Sequence, residues 1–201
     1  MCQPVPIDVN GIIDSGVSIV DIAAGRAHSL ILTSEGNVFS FGHNGYGQCG
    51  RPVIENEKYS GSKLFHNVEV PEKIARVFAG QDHNILLSEN GTLWTFGIST
   101  DGQLGRPSSR GFDHKPLPVE GPLKGSIVTD VSCRADTVLV TTKKGELFGW
   151  GNNEYGQILP VESAGTQVVS PTLMKVNKHG SVISAAAGST SCVAINERNQ
   201  V

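Results

Sequence analysis

Apolar and polar positions in this chain alternate in short runs that follow a fixed order and then repeat. Residues 18–24 are rich in β-branched side chains and close on Ala23, Ala24 and Gly25, which predicts a first strand ending on small residues. In 29–33, Leu30 and Leu32 alternate with Ser29, Ile31 and Thr33, a period of two that predicts a strand buried on at least one face. Ser34-Glu35-Gly36 reads as a tight reversal, because glycine accepts the positive φ that hairpin turns demand. An aromatic run follows, Val38-Phe39-Ser40-Phe41-Gly42, and its closing glycine lets the chain turn away.

That order returns. The stretch 25–50, GRAHSLILTSEGNVFSFGHNGYGQCG, comes back at 80–105 as GQDHNILLSENGTLWTFGISTDGQLG and at 134–159 as RADTVLVTTKKGELFGWGNNEYGQIL. It starts once more at 188–201, GSTSCVAINERNQV. Gly36, Gly42, Gly47 and Gly50 recur 55 residues on at Gly91, Gly97, Gly102 and Gly105, and a further 54 residues reach Gly145, Gly151 and Gly156. Self-similarity at a fixed period marks a solenoid, a propeller or an array. The joining segments 51–73, 106–126 and 158–181 carry Pro52, Pro71, Pro107, Pro116, Pro118, Pro122, Pro160 and Pro171. Proline removes a ladder donor, so these read as loops or edge strands. No helical period holds over a useful length.

The prediction is therefore an all-β chain whose units each have three to four antiparallel strands. A lone small sheet cannot cover its two apolar faces, and stacking face against face does so, which fits propeller blades better than leucine-rich or helical repeats. Residues 1–16 read as an N-terminal extension and 17–201 as an incomplete propeller, with units at about 17–70, 71–125, 126–180 and a truncated 181–201.

Composition changes this picture little. Glycine at 24 of 201 residues exceeds the roughly 7% average and belongs to the turns. A net charge of −3 with dispersed Lys and Arg shows no basic footprint for nonspecific nucleic-acid binding. Cys2, Cys49, Cys133 and Cys192 lie far apart without zinc-site spacing, and read as reduced thiols; no metal or cofactor is expected. The apolar runs are shorter than the roughly 20 residues a membrane helix needs, and no secretory or transit signal is visible. Asn90-Gly91-Thr92 matches a glycosylation acceptor but sits inside a repeat turn.

Candidate chemistry is mostly absorbed by the repeat. Residues 45–50 spell G-x-G-x-x-G, yet Pro52 follows, no helix is predicted and the second copy has Asp101 in place of the first glycine. A dinucleotide site needs the strand-to-helix context, so these glycines read as turns. His28 and His83 recur once per unit and read as holding each unit's inner strand by a hydrogen bond, with Asp136 under the same structural reading. Gly25, Gly36, Gly42, Gly50, Gly80, Gly91, Gly97, Gly105, Gly145 and Gly151 complete the architectural set. What differs between copies is the loop after each closing glycine, which repetition places on one face. Its residues His43, Asn44 and Tyr46, then Ser99, Thr100 and Asp101, then Asn153, Glu154 and Tyr155, are the candidate partner-binding positions. The inserts 54–66 and 108–114, with Lys58, Lys63, Arg110 and Lys115, form a second candidate contact region.

On Gly25, His28, Ser29, Leu32, Gly36, Val38, Phe39, Phe41, Gly42, Asn44, Gly47, Gln48 and Gly50, and on the second set from Gly80 to Gly105, the chain resembles the regulator of chromosome condensation repeat. That resemblance implies a seven-bladed propeller, of which about three and a half blades are present. The expectation is a fragment or short isoform of a longer protein. SFGHNGYGQCGR at 40–51 and FGWGNNEYGQ at 148–157 look most like the family's mitochondrial, guanine-exchange-factor-like branch. The third copy departs with Arg134 for glycine and Thr137 for histidine, and the fourth with Ser191.

The resemblance implies a non-enzymatic protein-interaction scaffold, mitochondrial, engaging a small GTPase, a mitochondrial ribosomal assembly factor or ribosomal RNA. The competing readings are guanine-nucleotide exchange on a small GTPase, in a nuclear or cytoplasmic setting, and half a propeller with no stable function alone.

Overall fold

The computed structural model describes residues 6–9, 12–55, 65–176 and 180–201; Cys2, Lys58 and Lys63 lie outside them. Fourteen strands form four antiparallel sheets. The first sheet holds β1 (Ile19–Ala24), β2 (His28–Thr33), β3 (Val38–Gly42) and β4 (His66–Val68) in sequential order. The second repeats this as β5 (Ile74–Ala79), β6 (His83–Ser88), β7 (Leu93–Ile98) and β8 (Phe112–Pro118), and the third as β9 (Val128–Arg134), β10 (Thr137–Thr142), β11 (Leu147–Asn152) and β12 (Gln167–Leu173). In the fourth, β13 (Val182–Ala187) pairs with β14 (Cys192–Asn196).

Register follows the repeat. His28 faces Gly42, His83 faces Gly97 and Thr137 faces Gly151, so the same position opens each hairpin. The first strands of the units, β1, β5, β9 and β13, are neighbours from sheet to sheet and form the inner edge, which explains the alanine endings of β1, β5 and β13; β9 departs, ending on Cys133-Arg134. The proline-bearing segments supply the outermost strands, with Pro116 and Pro118 in β8 and Pro171 in β12, where a missing ladder donor faces no further strand. Among the described residues, the departures from pure β include two short turns of helix, α1 (Val161–Ala164) and a 3-10 turn at Gly121–Leu123.

The sequence pattern predicted burial on at least one face of the second strand, and stacking seals both. All of β6 and β10 is buried, and so is β2 apart from Ser29. One apolar core joins the first and second sheets through Leu30, Leu32, Val77, Leu86 and Phe96; another runs from Ile85 through Val138, Val140 and Trp150 to Ala187. Each such side chain contributes roughly 1.5 to 3 kcal/mol by leaving water, so most of the fold's stabilisation lies between sheets. Trp150 also donates its indole N–H to the Gln103 carbonyl of the preceding sheet at 2.9 Å.

Candidate functional site

Strands β3, β7 and β11 each carry a glycine with positive φ at or one residue before their end, at Gly42, Gly97 and Gly151. A Cβ there would lie within 2.1 to 2.5 Å of the carbonyl of Ala27, Asp82 or Asp136, so both the backbone angle and the close approach require glycine. The loops that follow share one frame. The side-chain carbonyls of Gln48, Gln103 and Gln157 accept from the backbone N–H of Tyr46, Asp101 and Tyr155 at 2.8, 2.9 and 3.0 Å.

Within this frame the nine predicted partner-binding residues divide. Tyr46, Thr100, Glu154 and Tyr155 are exposed at the tips. Asn44 and Asn153 are not surface groups. The Asn44 side chain accepts from Cys49 N–H and donates to the carbonyls of Arg51 and Pro52, and Asn153 ties Ile158, Leu159 and Gly165 in the same way. A side chain that satisfies buried backbone groups on both sides of a loop is unavailable to a partner. Ser99 holds the equivalent place in the second loop but is too short to span it, and its buried hydroxyl has no hydrogen-bond partner among the described residues. His43 is half-buried, with its Nδ1 at 3.0 Å from Gln48 Nε2 and its ring edge-on to Tyr46. Asp101 accepts from Gln167 of the third sheet at 3.1 Å.

The other end of two of these glutamines reaches the next sheet. Gln48 Nε2 donates to Asp82 Oδ1 of the second sheet at 3.0 Å, and Gln103 Nε2 donates to Asp136 Oδ1 of the third at 3.0 Å. Asp82 is nearly inaccessible and also pairs with Arg26 of the first sheet. Burial raises the Asp136 carboxyl above the usual carboxylate range, and its bond from Gln103 partly offsets this. The fourth copy has Thr190 at the aspartate place, and Gln157 turns back to Thr137 and Asn152 of its own sheet. This latch was not read from the sequence, although Gly47-Gln48 and Gly102-Gln103, each followed 34 or 33 residues later by Asp82 or Asp136, were its visible signal.

The histidines work differently from the expected bond within each unit. His28 Nε2 lies 2.8 Å from Asn84 Oδ1 in the second sheet, and Asn84 Nδ2 donates to the Gln48 carbonyl at 2.8 Å. Asn84 Oδ1 is therefore the acceptor, and the His28 proton sits on Nε2. Burial lowers the His28 pKa, a shift that the Asn84 bond and Asp82 oppose. His83 is fully buried with no partner for either ring nitrogen among the described residues; burial first, then repulsion from His28, pushes its pKa down to about 3. It is a neutral space-filler at neutral pH.

What these rings fill is the space above a glycine. A Cβ on Gly80 would lie 2.0 Å from the His83 ring, and one on Gly25 2.1 Å from that of His28. The two departures of the third copy are thus one change. Where Thr137 replaces the histidine, the space opens, and Arg134 with its Cβ is accommodated. Thr137 donates instead to the Asn152 carbonyl at 3.1 Å.

The arrangement uses His28, Asp82 and Asp136 to join sheets, with His83 filling space, and leaves polar and tyrosine tips at the loop end. Among the described residues no group of three or more His, Cys, Asp or Glu could hold a metal ion, and no helix is long and apolar enough to cross a membrane.

Four stacked antiparallel sheets with this inter-sheet latch define a partial β-propeller built from one repeated unit. The family described as Regulator of chromosome condensation (RCC1) repeat matches residues 35–87, 90–140 and 144–195, and a second description of that repeat matches 19–48, 74–103 and 128–157. The chain belongs to this family. It is 39% identical over 184 residues to the human protein named RCC1-like G exchanging factor-like protein, covering 91% of this chain and 39% of the relative. The crystal structure of human WBSCR16 superposes with a TM-score of 0.83 at 38% identity, covering 90% of this chain and 45% of that one. Prp20p of Saccharomyces cerevisiae, whose structure was described with its binding properties to Gsp1p and histones, has a TM-score of 0.77 at 22% identity over 92% of this chain and 44% of that one, a likeness of fold alone. The chain spans less than half the length of these relatives.

Proposed function

We propose that this chain is a non-enzymatic interaction scaffold that presents the tips of its three loops to a protein partner. The observation that carries this reading is the split within the loops. Their glutamine frame is the same in all three, whereas the tip pairs read Gly45-Tyr46, Thr100-Asp101 and Glu154-Tyr155, so that the first and third loops share an exposed tyrosine and the second does not. A rigid repeated frame with variable tips is how scaffolds carry recognition, and exposed tyrosine is enriched in interface cores. Similarity to an exchange-factor-like relative, and the 40–51 and 148–157 runs, support a mitochondrial setting with a small GTPase or a ribosomal assembly factor as partner and ribosomal RNA as a further candidate. Affinity purification of the full-length protein from mitochondria tests it. A partner retained by wild type and lost with Tyr46→Ala and Tyr155→Ala is expected; enrichment in nuclei alone overturns the setting.

A second reading, nucleotide exchange on a small GTPase, is favoured by the human relative's name. It predicts faster release of labelled guanine nucleotide from candidate GTPases on adding the full-length protein. Unchanged release rates end that reading.

A further inference from the structure

The opposite ends of the sheets carry hairpin turns, and here the copies differ in sign. Equivalent positions are set by matching hydrogen bonds. Thr33, Ser88 and Thr142 N–H each donate to the carbonyl four residues on, at Asn37, Thr92 and Glu146, so the turn pairs are Ser34-Glu35, Glu89-Asn90 and Lys143-Lys144. Val119 N–H donates to Leu93 O and Met174 N–H to Leu147 O, while Val68 faces Val38, which makes Glu69, Glu120 and Lys175 the residues that leave the three edge strands. The first sheet thus ends in Glu35 and Glu69, the second in Glu89 and Glu120, and the third in Lys143, Lys144 and Lys175, all exposed.

A second position changes with them. Ser34, Glu89, Lys143 and Glu197 N–H donate to the carbonyls of Ser18, Lys73, Ile127 and Ser181. The third sheet alone has an apolar residue there, and Ile127 is 59% exposed. It is bonded through its carbonyl to Lys143, with exposed Lys124 three residues before it. No ion pair is formed by Lys124, Lys143, Lys144 or Lys175 among the described residues. Lys143 and Lys124 are the lysines next to the exposed isoleucine, with Lys144 beside Lys143 in the turn and Lys175 farther off at the end of the outermost strand; exposed charges of this kind contribute little to the fold's stability. We propose that the hairpin end of the third sheet docks an acidic protein segment carrying an apolar side chain, with the lysines taking its carboxylates and Ile127 its apolar group. This surface is separate from the loop tips, and each can fail without the other.

The test uses the full chain and a short fluorescent peptide of alternating glutamate and leucine. Binding is expected to weaken with rising salt, because exposed charges are screened. The double variant Lys143→Glu, Lys144→Glu should weaken it about tenfold or more, with Lys175→Glu a smaller loss from a second strand end. Ile127→Ser should cost a few-fold while leaving the salt slope unchanged. All these positions are exposed, and matching circular dichroism would show that the variants fold. Equal binding by wild type and the lysine double variant overturns the proposal, as does tighter binding to single-stranded RNA or to phosphatidylserine vesicles than to the peptide.

Discussion

The junction between the first two sheets and the junction between the last two are built from one repeated unit, yet they are held differently. The first is threaded with polar contacts: Gln48 and Arg26 on Asp82, His28 on Asn84, and the Asp21 carboxylate accepting from Val77 N–H at 3.2 Å. At the last, Gln157 stays on its own sheet, and Val131, Val138 and Val140 share one apolar cluster with Ala185, Ala187, Cys192 and Ala194, while Ser132 Oγ accepts from Ala187 N–H and the Gly145 carbonyl from Val182 N–H. Apolar stacking is the common denominator, and the polar latch is an addition that individual copies adopt or drop. The histidine ring requires a glycine beneath it, so the third copy drops both, whereas the glycine does not require the ring: the fourth copy keeps Gly188 with Ser191.

The strongest way to break this comparison is to restore the Cβ where the ring remains. Gly80→Ala places a methyl inside the His83 ring and should cost about 3 kcal/mol in urea unfolding, as overpacking in a sealed core does. Adding His83→Thr, the third copy's solution, should recover most of the loss, whereas Arg134→Ala at the open site should stay within about 0.5 kcal/mol. A double variant no more stable than Gly80→Ala would refute the account of ring over glycine.

Acid separates the two junctions next. His83 has a folded pKa of about 3 against an ordinary 6.5, so as pH falls the unfolded chain takes the proton first. Its contribution is complete above about pH 6.5 and is lost progressively toward pH 3, roughly 2 kcal/mol between pH 7 and 5, with His28 shifted in the same direction. The third and fourth copies have Thr137 and Ser191 at that position. Hydrogen exchange at pH 5 should therefore show β2 and β6 losing protection before β10, and His83→Thr should flatten the pH dependence. Uniform loss across all three strands would contradict this.

The smallest effect sharpens the latch itself. Gln48→Ala removes a donor from a buried carboxylate and an acceptor from Tyr46 N–H, and should cost about 1 to 2 kcal/mol in chemical unfolding. Gln157→Ala, whose partners are in its own sheet, should cost about half as much. Equal costs would mean that the reach to Asp82 adds nothing between sheets.

Much of this was legible along the chain. The strand order, hairpin turns, edge-strand prolines and stacking of units follow from residues that repeat, because local alternation and turn chemistry act over a few residues. The tips Tyr46, Thr100, Glu154 and Tyr155 were legible in the loops after each closing glycine, where the second copy has Asp101 in place of the tyrosine that the first and third share. Asn44 and Asn153 were misplaced among them, since a polar residue in a loop looks the same in sequence whether it faces solvent or ties the loop's own backbone. The histidines' role was equally hidden. A residue recurring once per unit can serve its own sheet or the next, and nothing in a single copy distinguishes the two.

By itself, then, the sequence determined the unit, its period of 54 to 55 residues and its membership in an all-β array. Only the tertiary structure decided which contacts cross from unit to unit: His28 to Asn84, Arg76 to Asp130, Ser132 to Ala187, all at 54 to 56 residues' separation. The physical reason is one of range. Strand and turn preferences are written in neighbouring residues, whereas a latch depends on which side chains stacking brings within 3 Å of one another, and on what that stacking excludes from water.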